Sequence, residues 1–278
     1  ARVVGFTARI LEDDPNAPKY INTPQTILYD KSRNVFGLHL AKDSIRKQEF
    51  SVMVEGNLDV IASHQAGITN VVATAGTALT EQQLKALQRF SGEVRLAFDQ
   101  DRAGLQATER SIPIASKVGV SLSMITIPTG KDPDKLNKKD PKLWEDAIKS
   151  AQPALDWLIE RYQAQLDLTT ASGKRQFSDI VLGVIRSVDD EVERDHYIEK
   201  IAGIIGVAKE ALVSKMGTEA QHSISPRRKS VNTQTKVIES NIELIKIQSH
   251  LLALVLMKPS LRKYLKLIRE DMLEGDDP

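Results

Sequence analysis

The sequence predicts an α/β fold, a mostly parallel sheet flanked by helices, followed by an α-helical bundle. Three observations predict it. Between residues 50 and 126, four short apolar runs (51–54, 71–74, 94–98 and 122–127) alternate with amphipathic stretches, the pattern of strand–helix units around a parallel sheet. Beyond Lys131 the apolar residues recur at helical spacing instead. Over 278 residues the chain is 41% apolar and 27% charged, enough to fill real cores.

The elements follow in order. The opening RVVGFTARIL alternates and is rich in β-formers, so it reads as a strand close to its start, and the chain is expected to begin inside a domain. Residues 58–66 read as a helix closed by Gly67, and 80–90 as a helix opened by a Thr80/Gln83 capping box. A third helix should span 102–117, with Pro113 predicting a break or kink. Pro153 suits the first turn of a helix through ALDWLIERY. Phe177, Ile180, Val181, Val184, Ile185 and Val188 then repeat on one helical face. Ile198, Ile201, Ala202 and Ile205 do so on the next, which Gly206 should end. These make a small antiparallel bundle. Residues 217–235 are rich in Ser, Thr, Gln and Arg and predict an exposed linker. After it, 237–257 form a long apolar helix stopped by Pro259 and followed by a shorter one. Two such helices make no core alone; they read as the first piece of another helical domain or as a hairpin that docks on a partner.

Composition excludes several classes. There is no cysteine, so disulfide scaffolds and thiolate zinc sites are out. The longest apolar run, 251–257, falls far short of the ~20 residues of a membrane span, and no export signal opens the chain. The expectation is a cytoplasmic protein with no membrane partner. Formal charge is +2 over residues 1–50, −2 over 51–160, −2 over 161–223 and +3 over 224–278. With no polycationic tail, any nucleic-acid contact must come from a local groove or ridge.

Chemistry concentrates where strands are predicted to end. Glu55 directly follows the first apolar run and precedes Gly56, with Asp59 one helical turn on; Asp99 and Asp101 directly follow the third. The carboxyl ends of parallel strands line the ligand crevice, so these acids can converge there. Asp99 and Asp101, two apart, point to one side of extended backbone. Like charges gathered in a crevice are costly without cations, and hard oxygen ligands with no Cys and only scattered histidines (His39, His64, His196, His222, His250) favour Mg²⁺ or Mn²⁺. The competing explanation is that each acid is an ordinary helix-start residue, favoured there by the helix dipole.

The Glu-Gly after one strand and the Asp-x-Asp-x-x-Gly after another resemble the TOPRIM domain, shared by primases, topoisomerases and some nucleases and recombination proteins. APKYINTPQTILYDKSRNVFGL ahead of the glutamate, TAGTALTEQQLKAL between the acidic motifs and PTGKDPDKL after them narrow the resemblance to bacterial DnaG-type primase. It covers residues 2–150 closely and 151–216 more loosely. It implies a TOPRIM-type mostly parallel sheet flanked by helices, then an α-helical bundle. Residues 1–49 would be the C-terminal part of the primase N-terminal core subdomain, 50–143 the TOPRIM catalytic domain, 144–216 a helical subdomain, 217–236 a linker, and 237–278 the start of a helicase-interaction domain.

By the same resemblance Glu55, Asp99 and Asp101 are the catalytic metal ligands, with Asp59, Asp132 and Asp134 completing the acidic crevice. Lys19, Tyr20, Asn22 and Lys31 match a basic ridge that holds template strand and nucleotide phosphates. Two divalent ions, Mg²⁺ or Mn²⁺, would hold the α-phosphate, activate a 3′-hydroxyl and stabilise pyrophosphate. The implied activity is synthesis of short RNA primers from nucleoside triphosphates on single-stranded DNA, beside a replicative helicase. The family's zinc site is expected upstream of Ala1. The chain departs from the family in having FTAR for a common FGGR, Asn57 for a frequent Tyr and Gln100 for a frequent Gly; none of these removes a ligand. Two other readings are weighed beside this one. One is a non-catalytic single-strand-binding or helicase-docking module, the other a TOPRIM nuclease.

Overall fold

A computed structural model describes residues 3–10, 20–74, 76, 78–98, 101–127, 136 and 140–224. Strands β1 (Thr7–Arg9) and β2 (Tyr20–Asn22) pair antiparallel as a two-stranded sheet, with Thr7 opposite Asn22. The opening strand is therefore shorter than its alternation suggested. Thr23 clamps the hairpin: its hydroxyl accepts from the Phe6 N–H at 2.7 Å and its own N–H reaches the Phe6 carbonyl at 2.9 Å.

Helix α1 (Leu38–Gln48) leads into β3 (Phe50–Val54), α2 (Asn57–Gln65), β4 (Val71–Ala73), α3 (Glu81–Gln88), β5 (Glu93–Ala97), α4 (Arg102–Val118) and β6 (Ser121–Met124). Helix α5 (Pro141–Lys149) and β7 (Gln152–Pro153) follow, then α6 (Ala154–Gln165), α7 (Ala171–Ile185), α8 (Glu191–Ile205) and α9 (Lys209–Ile224). The main sheet runs β4-β3-β5-β6-β7, parallel except for β7, which lies antiparallel to β6 at the edge. Pro153, with no N–H to give, is tolerated there because the strand is an edge.

Alternation along the strands builds two cores. Val52, Val54, Val71, Ala73 and Ala97 face one side, where Val60 of α2 and Trp144, Ala147 and Ile148 of α5 cover them. Met53, Val72, Val94, Leu96 and Met124 face the other, beneath Ala41 and Ile45 of α1, Leu84 and Leu87 of α3, and Leu105, Ile112 and Ala115 of α4. That second core continues through Leu158, Phe177, Val181, Ile185, Ile198 and Ile201 of the bundle. Burial on both faces is why the strands read as continuous apolar runs.

Several expectations change. Helix α4 passes through Pro113 without a break. One missing N–H costs a single bond in a helix of 17 residues, whose Ile112 and Ala115 are held in the core. Helices α1 and α5 and strand β7 were not anticipated. Helix α9 continues to Ile224, past the Gly217 at which a linker was expected; GTEAQHSI contains good helix formers and no proline. The chain divides into two units, Ala1–Met216 and Gly217–Pro278. The apolar stretch 237–257 and the rest of 225–278 lie outside the described residues.

Candidate functional site

Strands β3 and β5 are neighbours in parallel, with Val54 level with Ala97, so Glu55 and Phe98 emerge at the same end of the sheet. The helices that follow these two strands leave on opposite faces: Val60 of α2 is buried in one core and Leu105 of α4 in the other. Adjacent parallel strands with connections on opposite faces open a crevice beyond their carboxyl ends, the standard ligand position of open α/β sheets. A cavity of about 330 Å³ lies there, lined by Glu55, Thr74, Gly76, Phe98, Asp101, Gly104 and Arg110 among others.

Each wall has a local cause. The chain turns after β4 through Gly76 at φ +76°, a conformation that favours glycine, and the Gly76 N–H donates to the Glu55 carbonyl at 3.3 Å. Asp101 caps α4, its Oδ1 accepting from the Gly104 N–H at 2.9 Å. The helix-start role and a place in the crevice are thus held by the same carboxylate. Asp59 stands in the first turn of α2, and a Cβ at Gly56 would lie 2.7 Å from its Oδ2. Only a residue without a Cβ lets that carboxylate lie against the backbone directly after Glu55.

The structure brings Glu55 and Asp101 to one cavity and sets Asp59 one turn from Glu55. Asp99, Asp132 and Asp134 lie outside the described residues, and among those described no three metal-binding side chains form a group. The donor set nonetheless suits a hard divalent cation: carboxylates at strand tips, a glycine cradle for Asp59, and no thiolate or imidazole among the cavity's lining residues.

Of the expected basic ridge, Lys19 lies outside the described residues and Tyr20 is described only in its backbone, in β2. Asn22 ends β2, half-buried. Lys31 sits in a turn that begins at Asp30, whose Oδ1 accepts from the Ser32 N–H at 2.9 Å and hydroxyl at 2.7 Å. Those bonds hold the Asp30 carboxyl below the usual carboxylate range. The Tyr29 ring packs over Gly5, where a Cβ would stand 3.0 Å from it, tying the turn back to the chain entering β1.

Arg110 was missed from sequence. It falls on the α4 face that also presents Ala103 and Ala107 to the cavity, and the i, i+4, i+7 spacing from Ala103 was the available signal. It makes no hydrogen bond or ion pair among the described residues.

Three family models match the chain: DNA primase catalytic core, N-terminal domain, over residues 1–42; Toprim-like over 52–137; and DnaB-helicase binding domain of primase over 155–210. The last match falls within the bundle rather than on 237–278. The DNA primase of Clostridium acetobutylicum is 34% identical over 99% of this chain and 46% of its own. A solved structure of the DnaG catalytic core superposes with a TM-score of 0.65 at 31% identity, covering 76% of this chain and 69% of that one. A DnaG primase catalytic domain bound to single-stranded DNA gives 0.65 at 30% identity, over 76% of this chain and 67% of that one. The chain spans less than half the length of the curated relatives it matches. Fold and crevice define a Toprim-type α/β domain joined to a helical bundle. The chain belongs to the bacterial DnaG-type DNA primase family.

Proposed function

We propose that this chain carries the polymerising centre of a replication primase, which joins ribonucleotides into short primers on a single-stranded DNA template in the cytoplasm. The observation that carries the reading is the shared cavity of Glu55 and Asp101 at the tips of adjacent parallel strands. Glu55, Asp99 and Asp101 are assigned as the catalytic carboxylates, with Asp59, Asp132 and Asp134 as further ligands for Mg²⁺ or Mn²⁺. Bound there, the ions would polarise the α-phosphate, lower the barrier to attack by a 3′-hydroxyl and neutralise departing pyrophosphate.

The chain's own residues do the rest. Strand register sets where Glu55 leaves the sheet and the α4 cap holds the Asp101 carboxylate, so these two need little reorganisation when the ligand arrives. Arg110, at the cavity wall, supplies a planar cation for phosphate oxygens. Lys19, Tyr20, Asn22 and Lys31 are assigned to the contact with template phosphates and bases, Tyr20 by stacking. Contact with a replicative helicase is proposed for α6, α7 and α8, where the match to the DnaB-helicase binding domain of primase lies.

Metal-dependent incorporation of ribonucleotides on a single-stranded template, abolished by Asp99→Ala, is the expected result. Template binding without incorporation would leave only a docking module. Degradation of labelled single strands without added nucleotides would instead identify a nuclease.

A further inference from the structure

Gln83 is fully buried in the first turn of α3. A capping box asks one thing of this side chain, an oxygen to accept from the N-cap N–H, and Oε1 accepts from the Thr80 N–H at 3.1 Å. A glutamate side chain would serve equally well. The amide does more: Nε2 donates to the Lys31 carbonyl and to the Asn34 carbonyl, each at 3.1 Å. Thr80, whose hydroxyl accepts from the Gln83 N–H, donates that hydroxyl to the Ser32 carbonyl at 2.5 Å. Three carbonyls of the Lys31 turn are therefore held by one helical turn. Thr80 directly follows Ala78 and Leu79, which line the cavity of Glu55 and Asp101.

We propose that Gln83 is a positioning residue: its amide fixes the backbone of the Lys31 turn beside the cavity wall, so that the lysine presents its ammonium to nucleic-acid phosphate from a set place. The inference rests on the reading of Lys31 as a phosphate contact. It also explains the choice of residue. Only an amide accepts from the helix N-terminus and donates to two carbonyls at once. A carboxylate in place of the amide keeps the cap but turns negative oxygens toward the Lys31 and Asn34 carbonyls.

The test is single-strand binding by the 278-residue chain, read by fluorescence anisotropy of a labelled oligodeoxynucleotide across a salt series. Lys31→Ala is expected to reduce the slope of log K against log salt by about 0.7, the value for one phosphate contact on a single strand. Gln83→Glu should lose a comparable slope at pH 8 while its helical circular dichroism stays that of the parent. Lowering the pH toward 5.5 should restore part of it, because the introduced carboxyl, once protonated, regains one O–H donor for one of the two carbonyls, and burial raises its pKa. The double variant should match Lys31→Ala alone. Should Gln83→Glu fail to fold, Gln83→Met, of similar length and uncharged, is expected to lose the same slope with no recovery in acid. A parental slope in the Gln83 variants, with the slope lost in Lys31→Ala, overturns the positioning role and leaves the Lys31 contact standing. An unchanged slope in Lys31→Ala overturns the contact itself, and the positioning role with it.

Discussion

Gly56 and Arg110 make the site's chemistry separable from its stability. At Gly56 the backbone is extended, with φ −100° and ψ 142°, so an added methyl strains no dihedral; it meets only Asp59 Oδ2, 2.7 Å away. Gly56→Ala is therefore expected to displace the Asp59 carboxylate and leave the fold intact. Mn²⁺ affinity measured by calorimetry should fall by roughly ten- to a hundredfold, the scale seen when groups supporting a metal site are disturbed, while the thermal midpoint moves little. Unchanged Mn²⁺ binding would remove Asp59 from the ligand set. Arg110 is exposed on α4 with no partner among the described residues to lose. Its replacement by Ala should raise KM for nucleoside triphosphate by about ten- to a hundredfold, matching the 1.5–3 kcal/mol of a hydrogen bond to a charged group, with kcat nearly retained. A fall in kcat at constant KM would instead give it a role confined to the transition state.

Helix α3 shows how an element is pinned from several sides. Its N-terminus carries the capping box, and Glu81 pairs with Lys85 at 2.7 Å on the same helix and with Lys117 of α4 at 2.8 Å. Hydrogen bonds from Lys117 and then Lys85 lower the Glu81 pKa from 4.5 to about 2. A carboxylate with a depressed folded-state pKa contributes stability above its unfolded pKa and loses it as the pH falls through the folded one. The Glu81 contribution should thus be complete above about pH 5 and fade between there and pH 2. In urea titrations over that window the parent should lose stability more steeply than Glu81→Gln; parallel curves would show that solvent screens both pairs completely. The capping box was legible because Thr80-x-x-Gln83 states its own geometry. Helices α1 and α5 were equally written, as Leu38/Ala41/Ile45 and as Asp140-Pro141 before Trp144/Ala147/Ile148. Their apolar stripes are hard to see in the sequence because charged neighbours dilute them. Pro113 misled in the other direction: local chemistry favours a kink, and burial of one helix face prevails.

At the scale of the molecule, the sequence displayed the sheet and the acidic strand tips, since burial on both faces makes strands into apolar runs and the acids follow those runs directly along the chain. It could not display which helices leave on which face, and that arrangement is what opens the crevice between β3 and β5. The same arrangement couples the two cores, because Val52 and Val54 enter one while Met53, between them, enters the other. Neither core can open without removing part of the other's wall. The two tryptophans report on this separately: Trp144 lies in the core beneath α2 and α5, and Trp157 in the core shared with the bundle. Trp144→Phe loses the indole bond to the Ser63 hydroxyl at 3.1 Å and should cost about 1–2 kcal/mol. Trp157 Nε1 has no hydrogen-bond partner among the described residues, so Trp157→Phe should cost less. Each variant leaves one fluorophore, and the urea transition followed by that fluorophore should coincide with the transition of the same variant followed by circular dichroism at 222 nm. Coincidence for both variants means one cooperative unit spanning sheet and bundle. If the Trp144 signal changes at a lower denaturant concentration than the helical signal in Trp157→Phe, the face bearing α2 and α5 opens on its own, and the sheet does not bind the cores into one transition.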